Sequence, residues 1–281
     1  MNKTVLSDAE MADFEREGYL ILNAAFEPSE IAHMRAEANH ILELSINSSC
    51  HNKRQSHRMD LCRETEDRYV MRKIQPINDL SLYLSQVSED ERLLGPMRQL
   101  MGDEPVLMEE KLNYKQPLTE PVEGLEAPHK STRFPIHNDW AYYAAQDYPQ
   151  TIISSAISMD DCTPDNGPLH VWPGSHNVHL EHARIDIGLE VKPGLIDPEG
   201  GVDILAPAGS VMLFHSLLVH NSRTNTTAGP RRLMIYSHYP KAANKGIDIR
   251  NGPGRLREAP YEWEYTRALL AGKATPMFKA P

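Results

Sequence analysis

Apolar residues recur along this chain at two periods, helical in the first third and strand-like afterwards. Ser7 and Glu10 form an S-x-x-E capping box that opens a short helix, which Gly18 ends ahead of the apolar run YLILN. In EIAHMRAEANHILEL, the positions Ile31, Met34, Ala38 and Ile41 or Leu42 return at helical spacing, predicting a second helix with one buried stripe and a charged outer face. These helices are expected to buttress a sheet. Between Ile46 and Arg68 the periodicity lapses, and NSSCHNKRQSHR shows no evident core position, so residues 46–68 read as a polar loop or lid. ERLLGPMRQLMG returns to helix and precedes the strand-like VLMEEKLNYKQP. Beyond it, short apolar or alternating runs dominate, among them TIISSAISMDD, PLHVWPG, GGVDILAPAG, SVMLFHS and RRLMIYSHY, punctuated by Gly, Pro, Asn and Asp. Helices first and many short strands later predict a mainly β fold with flanking α-helices, built on a double-stranded β-helix or jelly-roll core.

Composition narrows the partners. A chain of 281 residues that is 40% hydrophobic can bury an ample core, and no break in it suggests two domains. The expected layout is one domain over 1–281: a mainly helical buttress at 1–104, the jelly roll at 105–240 and a C-terminal extension at 241–281. A net charge of −10 and a pI near 5.7 argue against a nucleic-acid surface. No apolar run reaches the ~18 residues of a membrane span, and MNKTVLSDAEMADF lacks the apolar core of a signal peptide, so a soluble, cytoplasmic protein without a membrane partner is expected. Cys50, Cys62 and Cys162 are few and odd in number, as in a reducing compartment. The spacing of Cys50, His51, His57 and Cys62 fits no paired zinc-ligand pattern.

The candidate chemistry lies in FPIHNDW and FHSLLVHNS. On a strand, His137 and Asp139 point to one face and can grip one ion. A third ligand is offered twice, by His215 and His220. His220 is preferred, because Ser222 follows it and, after the turn-rich RTNTTAGP, Arg231 and Arg232 open an apolar strand that a hairpin would return to the metal. Two imidazoles and a carboxylate are the set that holds non-heme Fe(II) and leaves one face open. An arginine fork suits a dicarboxylate whose other end chelates the iron. Trp140, Tyr142 and Tyr143 follow directly and are candidates to line a substrate pocket, while His170, His176 and His179 sit at turns and read as structural.

In order, FEREGYLIL, SEIAHMRAEANHIL, LNYKQP, FPIHNDWAYY, DNGPLHVWPGSH and GSVMLFHSLLVHNS resemble the phytanoyl-CoA dioxygenase family of Fe(II)- and 2-oxoglutarate-dependent oxygenases, over nearly the whole chain. The resemblance implies a cupin-like oxygenase domain in which His137, Asp139 and His220 bind iron. It implies that Arg231, eleven positions after His220, pairs with the distal carboxylate of 2-oxoglutarate, and that Ser222, Asn138 and Lys73 are further cosubstrate contacts. Asn138 stands where relatives often carry glutamine. The implied reaction consumes 2-oxoglutarate and O2, releases succinate and CO2, and hydroxylates or otherwise oxidises a small organic substrate at an unactivated C–H bond. Because Asp139 is present, halogenation, which in relatives needs a small residue there, is not expected. The expected substrate is a specialised metabolite. The alternatives are a phytanoyl-type acyl-CoA 2-hydroxylase, which would want a basic groove such as Lys53, Arg54, Arg58 and Arg63 could supply, and a non-catalytic metal-binding jelly roll. The carboxyl terminus FKAP, unlike a peroxisomal SKL address, weighs against the acyl-CoA alternative.

Overall fold

A computed structural model describes residues 3–118, 120–243, 245–246 and 260–280. Helix α1 (Asp8–Glu17) opens on the Ser7–Glu10 capping box, with both reciprocal bonds made, and closes on Gly18 at φ 81°. β1 (Tyr19–Leu22) and α2 (Pro28–Asn52) follow, and α2 buries Ile31, Met34, Ala38, Ile41 and Leu42 as its periodicity requires. β2 (Met59–Thr65) and β3 (Arg68–Ile74) pair antiparallel; α3 (Leu82–Val87) and α4 (Glu91–Met101) then lead into β4 (Pro105–Leu118). The remaining elements are β5 (Phe134–His137), α5 (Trp140–Tyr143), β6 (Ile153–Ser158), β7 (Leu169–Val171), β8 (His182–Ile185), β9 (Gly188–Val191), β10 (Val202–Asp203), β11 (Val211–His215), β12 (His220–Ser222), β13 (Leu233–Pro240) and α6 (Pro260–Leu270).

The strands form a seven-stranded sheet, β1-β11-β6-β13-β4-β3-β2, and a four-stranded sheet, β10-β7-β12-β5, with β8-β9 as a separate hairpin. Alternation sorts their side chains between two cores. Ile153 and Ile157 of β6, Val211 and Leu213 of β11, and Met234 and Tyr236 of β13 pack with the helices. Their neighbours Ala156, Met212, Phe214, Leu233 and Ile235 face the other way, against Leu169 and Val171 of the smaller sheet. This is the jelly roll the pattern predicted, with helices covering the outer face of the large sheet. Residues 1–104 contribute three of its strands as well as helices.

The polar loop expected over residues 46–68 is not there. α2 continues to Asn52, with Ser45, Ile46, Asn47, Ser48 and Ser49 buried, and β2 begins at Met59. Ser48, Ser49 and Asn47 find internal partners, while the Ser45 hydroxyl is buried without one. The Ser49 hydroxyl donates to Ser45 O at 2.6 Å, and Asn47 exchanges hydrogen bonds with the backbone of Met277 and Phe278, so hydroxyls and an amide tolerate burial beneath the C-terminal segment. Within the extension expected over 241–281, residues 244, 247–259 and 281 lie outside the described residues, and α6 packs on α2.

Candidate metal centre

β5 and β12 are neighbours in the smaller sheet, and their register sets His220 opposite His137. The two rings enter the space between the sheets with centroids 4.4 Å apart. Asp139 joins them by another route. β5 ends at His137, and Asp139 adopts helical dihedrals (φ −63°, ψ −33°) at the start of α5. The expected one-strand clamp is therefore corrected to a strand end plus a helical turn. The Asn138 side-chain oxygen accepts from Ala141 N at 3.1 Å and Asp139 O from Tyr142 N at 3.0 Å, which draws the chain out of the strand. Asp139 Oδ1 comes to lie 3.6 Å from His137 Nε2 and 3.9 Å from His220 Nε2. One donor atom from each residue lies within 4.8 Å of the others, and among the described residues no other His/Cys/Asp/Glu group is so arranged.

Protonation suits the same end. His137 Nδ1 lies 2.8 Å from Pro135 O and His220 Nδ1 lies 3.0 Å from Leu218 O. A carbonyl can only accept, so each Nδ1 carries the proton and each Nε2 presents its lone pair. Burial, and then His137, push His220 down to about 4, leaving it neutral at physiological pH. Burial opposes ionisation of Asp139, but Lys111 first, then His137 and His220, hold its carboxyl well below the usual range. Asp139 Oδ2 is buried with no hydrogen-bond partner. Two imidazole lone pairs, an ionised carboxylate and an orphaned carboxylate oxygen converging on one point fit a divalent metal with open positions. The triad borders a cavity of about 300 Å³.

The model of the phytanoyl-CoA dioxygenase (PhyH) family matches residues 14–233. The chain belongs to that family. With membership come dioxygenase activity and Fe(II), 2-oxoglutarate and O2 as the working set. The chain is 26% identical over 288 residues to the ectoine dioxygenase of Sphingopyxis alaskensis, covering 95% of this chain and 84% of that protein. It is 27% identical over 174 residues to the L-proline trans-4-hydroxylase of Streptomyces griseoviridis, covering 54% of this chain and 60% of that one. The crystal structure of EctD from S. alaskensis in its apoform superposes with a TM-score of 0.64 at 25% identity, covering 86% of this chain and 80% of that one.

The other expected site residues of this family member divide between the cavity wall and its surroundings. Ser222, Lys73, Tyr142 and Tyr143 line the cavity. The Tyr143 hydroxyl donates to Glu109, and Tyr142 takes Leu189 N from the β8–β9 hairpin at 2.8 Å. Lys73 donates to Gln75 Oε1 at 3.2 Å. Asn138 does not reach the cavity, because its amide is held by Ala141 and by His179 Nδ1 at 3.3 Å. Trp140 also turns away, its indole N–H donating to Tyr148 O at 3.1 Å. Arg231 is fully buried, with Nε and Nη2 donating to Gly167 O at 3.0 and 2.7 Å. It does not arrive by a β12–β13 hairpin. β12 lies in the small sheet and β13 in the large one, so the connection crosses between them. Among the His residues read as structural, His170 bonds Asp203 Oδ1 at 2.6 Å and Gly200 O at 2.7 Å, and His176 bonds Glu15 O at 3.2 Å.

Glu109, Lys111 and Asn113, all on the inner face of β4, were not singled out from the sequence and yet line the cavity. Lys111 Nζ sits 3.3 Å from Glu109 Oε2 and 3.6 Å from Asp139 Oδ1, orienting the metal carboxylate. The available signal was the alternation in KLNYK, where Lys111, Asn113 and Lys115 take every second place around Leu112 and Tyr114. His215, the rejected ligand, instead accepts from Leu217 N at 3.1 Å. Burial, and then His176, lower it to about 4 from an ordinary 6.5. Between those values the unfolded chain binds a proton that the folded one excludes, so stability is full above the upper value and falls as pH drops through the window. Urea titrations at pH 7.5 and 5 are expected to show a smaller loss in His215→Asn than in wild type; an unchanged loss would remove His215 as a contributor.

Proposed function

We propose that the chain works as one Fe(II)/2-oxoglutarate oxygenase domain that hydroxylates, or otherwise oxidises at an unactivated C–H bond, a small polar molecule of specialised metabolism. The observation that carries this reading is the wall of the cavity beside the triad. Asp60, Glu109 and Asp139 line it together with Arg72, Lys73 and Lys111, and its roughly 300 Å³ lies at the small end of ligand pockets. Such a wall favours a small molecule bearing charged or polar groups over a long apolar chain. Ectoine and L-proline, named for the relatives, are of that size class. The acyl-thioester alternative needs a free basic groove. Arg58 is instead buried against Asp79 (2.6 Å) and Glu262 (3.5 Å), Arg54 stacks over Tyr261 at 4.1 Å, and Arg63 pairs with Glu66 at 3.3 Å, so that of the four only Lys53 is exposed and without an ion pair or ring contact among the described residues. Family membership leaves the non-catalytic reading behind. A cytoplasmic location and the lack of nucleic-acid or membrane partners belong to the same proposal; among the described residues no helix is long and apolar enough to cross a membrane.

In this reading His137, His220 and Asp139 hold the iron, Lys111 keeps Asp139 ionised and aimed, and Arg231 with Ser222 receives the cosubstrate. When bound, iron with 2-oxoglutarate and O2 supplies the oxidant, while the protein supplies positioning and exclusion of water. The Tyr142–Leu189 bond anchors the β8–β9 hairpin beside Ile187 and Gly188, which close part of the cavity. The test is anaerobic titration of the Fe(II)-loaded protein with 2-oxoglutarate, followed by succinate release across small polar metabolites and acyl-CoA thioesters. A visible metal-to-ligand charge-transfer band and turnover with a small polar compound are expected. No band in iron-replete protein, or turnover confined to acyl thioesters, would overturn the proposal.

A further inference from the structure

Lys115 and Arg231 are both fully buried, and both donate to the same carbonyl oxygen, that of Gly167, with Lys115 Nζ at 3.3 Å; Lys115 also donates to Arg223 O. Neither makes an ion pair among the described residues, and Arg231 Nη1 is buried without a partner. Two adjacent basic side chains with carbonyl acceptors and no carboxylate partner among the described residues make surroundings suited to an anion, because an uncompensated buried cation is costly. The backbone has been shaped to build it. β4 is bent at Lys115 into the left-handed region (φ 41°), and Gly167 is a position where a Cβ would lie 2.7 Å from Lys115 Nζ and 2.3 Å from Arg223 O. Lys115 neighbours the cavity wall. Lys115 Nζ is 5.7 Å from the ring centroid of Phe134, which lines the cavity, and Ser222, another lining residue, precedes Arg223.

Resting on the reading of Arg231 as the cosubstrate's carboxylate partner, we propose that Lys115 is a second cation for the distal carboxylate of 2-oxoglutarate, a positioning residue that acts jointly with Arg231. Removing one of two buried donors to a carboxylate weakens binding by about 10- to 100-fold. Protonation provides an independent signature. Burial first, then Arg231 and Arg72, push Lys115 well below the usual lysine range, with Cys162 and Glu64 acting weakly in the other direction. Arginine keeps its proton under the same pressure, so the lysine is the group that yields. A carboxylate placed between them restores the charged form, and Lys115 draws one proton from solvent as the dianion binds.

The experiment is anaerobic calorimetry on Fe(II)-loaded wild type and Lys115→Met with 2-oxoglutarate and with 2-oxopentanoate, whose methyl group replaces the distal carboxylate, in buffers of different ionisation enthalpy. The expected result is a 10- to 100-fold loss for 2-oxoglutarate and an unchanged affinity for 2-oxopentanoate in the variant. An unchanged 2-oxoglutarate affinity, or an equal loss for both acids, would overturn the assignment. Should Lys115→Met fail to fold, the wild type decides: proton uptake with 2-oxoglutarate and none with 2-oxopentanoate supports the role, and equal uptake with both, zero included, overturns it. Wild type that binds no 2-oxoglutarate at all would instead bring down the functional reading beneath it.

Discussion

His220→Ala supplied with Fe(II) is expected to show no charge-transfer band with 2-oxoglutarate and no succinate release above background, while His215→Ala treated in the same way retains both. Losing an outer hydrogen-bond partner of a metal ligand already costs about 10- to 100-fold in affinity, so losing an imidazole ligand itself should weaken iron binding by on the order of 10³-fold or more. The two remaining donors, His137 and Asp139, are one strand end and one helical turn, and His220 is the only member that comes from β12. Without it the site cannot close around the ion. The fold should survive, because β12 stays paired on both edges, with β5 and β7. Far-UV circular dichroism and iron content, measured on the same preparations, separate the two effects. Iron retained at wild-type stoichiometry in His220→Ala, or lost in His215→Ala, would mean that the wrong histidine has been assigned.

Arg231→Leu should weaken 2-oxoglutarate binding by roughly 30- to several-thousand-fold, the range for truncating one side of a buried charge pair. The metal-free, cosubstrate-free variant should nonetheless unfold at the same temperature as wild type or higher. Among the described residues Arg231 is a buried guanidinium with one carbonyl as acceptor and one nitrogen unpartnered, and replacing such a charge with an apolar side chain is often neutral or stabilising. Opposite signs in affinity and stability are what a ligand-binding charge predicts. A structural arginine would give the reverse pattern, with 2-oxoglutarate affinity retained and the melting temperature lowered by several degrees. Calorimetry and a thermal scan on one preparation distinguish the cases.

Local signals were read well where the sequence alone determines the outcome. The capping box at Ser7, the stripe from Ile31 to Leu42 and the helix over ERLLGPMRQLMG are properties of neighbouring residues, and each formed where expected. Failures came where distant residues supply the compensation. SINSS looks like loop until Met277 and Phe278, more than two hundred positions away, bond Asn47 and bury it. Asn138, which the family resemblance implied as a cosubstrate contact, accepts from Ala141 N where β5 turns into α5, a bond that no local pattern announces.

The amino-acid sequence by itself determined the chemistry of the donors: two imidazoles and a carboxylate in FPIHNDW and VHNS, an arginine eleven positions on, and the order of motifs that marks the family. It also determined the jelly roll, since a period of two sorts β6, β11 and β13 into two faces whatever lies around them. Only the tertiary structure decided which charges share one cavity. Glu109 and Lys111 on β4, Asp60 on β2 and Arg72 on β3 meet Asp139 through sheet order and register, and Lys115 meets Arg231 and Gly167 where three separate segments converge. Ligand identity is a property of single side chains, whereas pocket charge and anion sites are sums over strands that the chain places side by side only on folding.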